Sequence, residues 1–326
     1  MIRRAARHLM VRDDRIGETF RSVVASYEAR LGPIHARLNF KEALAEGRSV
    51  GRALEVIGRR WPEVRSTSVE KPVFILSAGW RSGSTLLQRL VMSKQAILIW
   101  GEPYSHGLML KHLAEGITAI TDHWPESSWF VDAYDLQTLS STFVANLYPS
   151  LPDLQSAYLR YMEALFIDPA RTRGFCSWGI KDVRLTLDET RFLRWLYPEA
   201  KILFLVRNPF DAYRSYRAVG GWYHEWPHDP ILTAKRFGQH WADLARGFLL
   251  GAEEVDAKLV RYEELVGGGL DLGELERYLG MPIDRELITK NVGSHKNMAA
   301  GLTGHEVRQL EKAVASVASL YGYHGV

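Results

Sequence analysis

The stretch Lys71 to Val91, KPVFILSAGWRSGSTLLQRLV, passes from an apolar run through Gly79-Trp80-Arg81-Ser82-Gly83 into an amphipathic segment. A strand, a tight glycine-bracketed turn and a helix start, in that order, form an anion cradle. Backbone N–H groups converge there and the helix dipole favours negative charge. Gly79 and Gly83 let the backbone wrap closely, and Ser82, Ser84 and Thr85 supply hydroxyls. Arg81 adds a permanent charge whose planar fork matches anionic oxygens. Aligned on Gly83 with the nucleotide-hydrolase pattern G-x-x-x-x-G-K-[ST], the chain has Ala78 at the first glycine, Ser84 at the lysine and Thr85 at the hydroxyl. A kinase or hydrolase of that class needs the lysine on its β- and γ-phosphates. Its absence points to another anion.

A second anion site is written in KILFLVRNPFDAYRSY, Lys201 to Tyr216. Arg207 ends an apolar run, Asn208 is suited to cap the next helix and Pro209 to its first turn. Ser215 falls two turns along on the Asn208 face. Taken alone, the segment reads as ordinary helix capping. Taken with the first loop, it suggests a ligand with two separated anionic ends.

The two segments together resemble the 5′-phosphosulfate loop and 3′-phosphate motif of sulfotransferases that use 3′-phosphoadenosine 5′-phosphosulfate (PAPS). The arginine-first RSGST form is similar to that of carbohydrate and tyrosylprotein sulfotransferases. The resemblance implies that Arg81 to Leu86 hold the phosphosulfate and that Arg207 and Ser215 hold the 3′-phosphate. No metal is implied, and adenosine 3′,5′-bisphosphate (PAP) is the product. ILIWGEPYSH, residues 97 to 106, places Glu102 where these families carry a catalytic base. A positioned carboxylate suits that role, because a hydroxyl is a poor nucleophile at neutral pH. His106 and His224 are the rival bases. WGIKDVRL, residues 178 to 185, puts Lys181 at the lysine thought to assist the departing phosphate, with Arg184 nearby to position acceptor or donor. VRYEELV resembles the segment whose tyrosine, here Tyr262, contacts the adenosine. Ser294 and Lys296 in GSHKN fall at the loop that closes over the nucleotide. There the chain departs from the Arg-Lys-Gly pattern of cytosolic enzymes.

These residues need a scaffold, and the chain provides an α/β pattern. Apolar runs at 73–77, 97–100, 178–181, 202–206 and 258–262 read as strands covered on both faces, with helical patterns between them. The expected fold is a P-loop-like three-layer α/β domain around a central parallel sheet, spanning 71–326. Residues 1–70 form a basic helical extension, with 14 Lys and Arg against 9 Asp and Glu. Segments such as 18–31 and 49–60 read there as amphipathic helices that pack on the main domain. The alternative is a contact surface for an acidic acceptor or for a second copy in a homodimer. An aromatic-rich insert lies at about 117–175, and a second aromatic cluster, GGWYHEWPHD, contains Trp222 and His224. Both follow strand ends, where open α/β sheets bind ligands. The helix after Thr303-Gly304-His305-Glu306 opens on a capping box.

Composition bounds the partners. With 46% hydrophobic residues the chain can build a large core, and a formal net charge of +3 does not call for nucleic acid. No run approaches the roughly 20 apolar residues of a membrane span. The single cysteine, Cys176, excludes an internal disulfide and fits a reducing compartment. The start MIRRAARHLMVR has the arginines of a transit peptide, but Asp13 and Asp14 follow at once. The cytoplasm is the expected compartment. The acceptor expected from the motifs is a small-molecule or glycoconjugate hydroxyl, most of all a carbohydrate. A tyrosine or a natural-product phenol is the alternative. The rival classes are a P-loop nucleotide kinase and a non-catalytic nucleotide-binding protein.

Overall fold

A computed structural model describes residues 49–142, 144–219, 230–291 and 301–324. The chain divides into two compact units, Met1–Ser49 and Val50–Val326. Only the second is described below. The helix anticipated at 18–31, together with Trp222, His224, Ser294 and Lys296, lies outside the described residues.

Five strands form one parallel sheet: β1 (Val73–Ser77), β2 (Ile97–Gly101), β3 (Ser177–Asp182), β4 (Lys201–Val206) and β5 (Ala257–Arg261). Their order across the sheet is β2-β3-β1-β4-β5. The near-continuous apolar character of the strands has the cause expected for a sheet covered on both sides. Phe74 and Leu76 of β1 join one core cluster with Ile202, Phe204 and Trp178, while Val73 and Ile75 join the other with Leu203, Leu205 and Val260. Because all strands run the same way, with Gly101 opposite Lys181 and Val206 opposite Arg261, the residues that follow them emerge along one edge. Ala78, Glu102, Arg207 and Tyr262 are therefore neighbours by topology. Cys176, exposed, precedes β3 at the opposite edge.

The helix boundaries are set by local chemistry. Thr186 and Glu189 form a capping box that starts the helix at Leu187, where apolar spacing alone predicts a helix over 189–196. The Thr303–Glu306 box is present and opens the helix Gly304–Ala318. Tyr262 does not extend β5 as expected; it begins the helix Tyr262–Gly267.

The insert carries its own helix, Leu151–Met162, which passes through a π turn at Glu163–Ile167 into Asp168–Thr172. Trp100 Nε1 donates to the Phe166 carbonyl within that turn at 3.2 Å, tying the insert to the end of β2. The aromatic residues of the insert pack both on one another and on the rest of the unit, with Trp124 edge-on to Trp129 at 4.4 Å, Phe130 edge-on to Trp61 at 5.4 Å and Tyr158 edge-on to Phe192 at 5.1 Å. The helix Val50–Arg60 belongs to this same unit, and Asp188 accepts from the Val50 N–H at 3.1 Å. Its basic outer face is engaged by the insert. Arg52 and Arg59 pair with Asp122, and Arg60 donates to the Thr121 carbonyl at 2.6 Å.

Candidate active site

The loop after β1 is bent by three left-handed residues, Gly79, Arg81 and Gly83, at φ 83°, 61° and 89°. Gly83 must be glycine for two reasons. Its φ disfavours any side chain, and an added Cβ would lie 2.2 Å from Cδ2 of the Tyr262 ring. The ring of Tyr262 in turn carries the Arg207 guanidinium, with Cζ 4.4 Å from its centroid. Arg207 Nη1 donates to the Arg81 carbonyl at 2.9 Å, and Arg81 Nε donates to Ser215 Oγ at 3.0 Å. Arg81, Gly83, Arg207, Ser215 and Tyr262, spread over more than half of the chain, thus meet in one place.

Trp241, Glu263 and Tyr323, which sequence patterns did not single out, hold this cluster together with the expected cap Asn208. Trp241 Nε1 donates to the Arg207 carbonyl at 3.0 Å. The Glu263 carboxylate accepts from the Asn208 N–H at 2.8 Å and from the Tyr323 hydroxyl at 2.6 Å. Asn208 Oδ1 caps the next helix by accepting from the Phe210 N–H at 2.9 Å. Only the position of Glu263 beside Tyr262 offered a signal for its role; Trp241 sits in a helix that nothing in its own sequence links to the site.

The electrostatics favour an anion. Burial, and next to it the positive charge of Arg207, pull the Arg81 guanidinium below its ordinary pKa. Two like charges held together in this way are relieved by a negative group between or beside them. Ser82 Oγ and Arg207 Nε are buried with no hydrogen-bond partner among the described residues. An unsatisfied buried polar atom costs about 1–3 kcal/mol, and anionic oxygens would satisfy both. Ser84 is buried at the helix start, Thr85 is exposed and Leu86 packs against the core.

The second half of the site lies at the ends of β2 and β3. Glu102 and Lys181 form an ion pair, with Lys181 nearly buried and Glu102 partly open. The Glu102 N–H also donates to the Lys181 carbonyl at 2.6 Å. Glu102, Tyr104 and Leu108 all have left-handed backbones, at φ 46°, 52° and 52°. Asp182 is buried beside the pair and accepts from the N–H groups of Arg184 at 2.7 Å and Leu185 at 3.2 Å. Burial, opposed by those hydrogen bonds, pushes its carboxyl up to about 6. A pocket of ≈ 60 Å³ opens here, lined by Pro103, Ser105, Leu108, Asp182, Arg184 and Leu185 among others. His106 is exposed on the short turn Ser105–Gly107.

This arrangement can hold an anion on fixed cations and backbone N–H groups, and it sets a carboxylate beside a lysine at the neighbouring strand ends. Among the described residues no group of three or more His, Cys, Asp or Glu is placed to hold a metal ion.

The model of the Sulfotransferase family matches residues 72–284. Two relatives, from Mycobacterium bovis and Mycobacterium tuberculosis, are each named omega-hydroxy-beta-dihydromenaquinone-9 sulfotransferase. Each is 24% identical over 323 residues, covering 82% of this chain and 79% of its own length. Among solved structures, sulfotransferase STF9 from Mycobacterium avium is 14% identical, covering 84% of this chain and 82% of its own, with a TM-score of 0.43. The sulfotransferase domain from the curacin biosynthetic pathway is 18% identical, covering 80% of this chain and 100% of its own, with a TM-score of 0.38.

Proposed function

The chain belongs to the sulfotransferase family, and from that premise we propose that it transfers the sulfuryl group of PAPS to an acceptor hydroxyl. One observation carries the assignment of residues: Arg81, Arg207, Ser215 and Tyr262 converge around Gly83 while the Glu102–Lys181 pair stands at the adjacent strand ends. The β1 loop, Arg81 to Leu86, takes the phosphosulfate, and Arg207 with Ser215 takes the 3′-phosphate. Tyr262, fixed by Gly83 and Arg207, is placed to contact the nucleoside.

In the reaction the acceptor oxygen bonds to sulfur as the bond from sulfur to the bridging oxygen breaks. The electron pair of that bond leaves with PAP, and the acceptor proton passes to Glu102. Lys181 neutralises charge that builds on the departing phosphate. Lys181 is paired with Glu102, so the donor phosphate competes for the lysine and leaves the carboxylate available to the acceptor.

The motif resemblance supports a carbohydrate or glycoconjugate acceptor. The pocket beside Glu102 supports a second reading, an acceptor that presents its hydroxyl on a slender apolar arm. Its walls include Pro103, Leu108, Met109, Leu110 and Leu185, and the mycobacterial relatives are named for a hydroxylated menaquinone. A panel of one amino sugar, one long-chain alcohol and one phenol, assayed for PAP release from PAPS, separates these readings.

The donor assignment is tested by calorimetry without magnesium. PAP is expected to bind at least about tenfold more tightly than ADP, a difference of about 1.4 kcal/mol. Equal binding, or binding only with magnesium, would remove Arg207 and Ser215 as the 3′-phosphate site. Glu102→Gln is expected to lower turnover on the order of 100-fold or more while PAP still binds. Unchanged turnover would remove Glu102 as the base.

A further inference from the structure

Between the donor loop and the pocket beside Glu102 stands a residue that neither half of the reaction above uses. Trp80 lies between two left-handed residues, Gly79 and Arg81, and is buried. The Arg184 guanidinium sits over its ring, with Cζ 5.1 Å from the centroid. The imidazole of His240 stacks on the ring at 5.0 Å, and Tyr216 packs against it at 5.8 Å. Tyr216 adjoins Ser215, the hydroxyl that accepts from Arg81. Arg184 lines the pocket beside Glu102, and its backbone N–H is held by Asp182, the neighbour of Lys181. One indole therefore touches the donor loop through the chain, the 3′-phosphate helix through Tyr216, and the acceptor pocket through Arg184.

We propose that Trp80 is a positioning residue that couples the two substrates: occupation of the donor loop fixes the indole, and the indole fixes Arg184 at the wall of the acceptor pocket. This rests on the donor assignment made above. An anion drawn onto the N–H groups of the loop immobilises the peptide units on either side of Trp80. The ring is wedged against His240 and Tyr216, so it cannot slide independently of that backbone. A desolvated guanidinium–indole contact biases the guanidinium towards the ring by on the order of tenfold. Arg184 is thereby set to orient a polar atom of the acceptor. Coupling of this kind is reciprocal, so a bound acceptor also tightens the donor.

The test is hydrogen exchange read by mass spectrometry over residues 182–187, with and without saturating PAP, beside calorimetric PAP titrations. The amides of Arg184 and Leu185, bonded to Asp182, are the reporters. In the wild type, PAP is expected to slow their exchange by at least about threefold. Trp80→Phe, which keeps a ring, should retain the response. Trp80→Leu should bind PAP at saturation yet lose it. Arg184→Lys keeps the charge without the planar stack and leaves the core intact, so it should lose the response while still binding PAP at saturation. Wild-type protein that binds PAP without protecting 182–187 would sink the coupling alone. So would Trp80→Leu or Arg184→Lys responding as the wild type does. Wild-type protein that fails to bind PAP would remove the donor assignment and the coupling together.

Discussion

Around Gly83 the candidate site residues contact one another. Arg81 is bonded to Ser215, Arg207 to the Arg81 carbonyl, and the Tyr262 ring fills the space a Cβ would need. The turn after β2 is built the other way. Three non-glycine residues between Glu102 and Leu108 take left-handed backbones, and a buried carboxyl, Asp182, sits beneath them. The Gly83 side has its side-chain contacts already made around one left-handed non-glycine residue, Arg81, whereas the turn after β2 gathers three such residues beside a buried carboxyl. Residues in sparsely populated backbone regions persist where the surroundings over-determine them, commonly at functional sites. On the proposed assignment, the Gly83 side tolerates little change, whereas relieving the turn after β2 should make the fold more stable and the enzyme less able.

The largest effect should come from breaking the Gly83 side. Gly83→Ala places a methyl group into the Tyr262 ring and strains a residue at φ 89°. PAP affinity is expected to fall by on the order of 100-fold, equivalent to about 2.7 kcal/mol, as measured by calorimetry. Retained affinity would mean that the Tyr262 ring is free to leave and that the donor half is not pre-formed.

A smaller effect should come from Asp182. Its carboxyl is raised from an ordinary value of 3.8 to about 6, chiefly by burial. The unfolded chain therefore gives up its proton first. Well below pH 3.8 both states are protonated and the titration withdraws nothing. As pH rises through 4 to 6 the group withdraws stability, and above its folded pKa the cost is constant at roughly 3 kcal/mol. Asp182→Asn removes this term. Denaturant unfolding at pH 4 and pH 7 should show the variant gaining on the wild type by roughly 2–3 kcal/mol between the two. A constant difference would show that Asp182 is hydrated after all.

The smallest effect should come from Tyr104, which is 67% exposed at φ 52°. A left-handed backbone costs a non-glycine residue about 1–2 kcal/mol, part of which glycine loses again as chain entropy. Tyr104→Gly is expected to stabilise the fold by about 1 kcal/mol, seen as a rise in Tm. A fall in Tm would assign the exposed ring a contact that holds the turn.

Much of the fold was legible because it follows from local pattern. The run Val73–Ser77 is a strand over its full expected length, since every one of its side chains is buried. Thr303 with Glu306 announced a helix, and the structure begins it there. Apolar spacing alone places the starts of the helices at 189 and 154; the caps Thr186 and Ser150 begin them earlier, at Leu187 and Leu151. Contacts across the sheet were not legible. The Tyr262–Arg207 stack depends on β4 lying beside β5, and the Arg184–Trp80 contact depends on β3 lying beside β1. His240 reaches the loop from a helix whose local pattern says only that it is amphipathic. Such partners become visible only when strand order is known.

The position of Cys176 has a practical consequence. It is the sole thiol of the chain, it is exposed, and it precedes β3 at the edge away from the site. Along the strand it stands roughly 16 Å from Lys181, at about 3.3 Å per residue. A maleimide dye therefore attaches at one defined point without engineering a cysteine-free background. That point adjoins the central sheet at the end opposite the proposed site, which makes it an origin from which distances to a labelled nucleotide or acceptor can be measured by energy transfer.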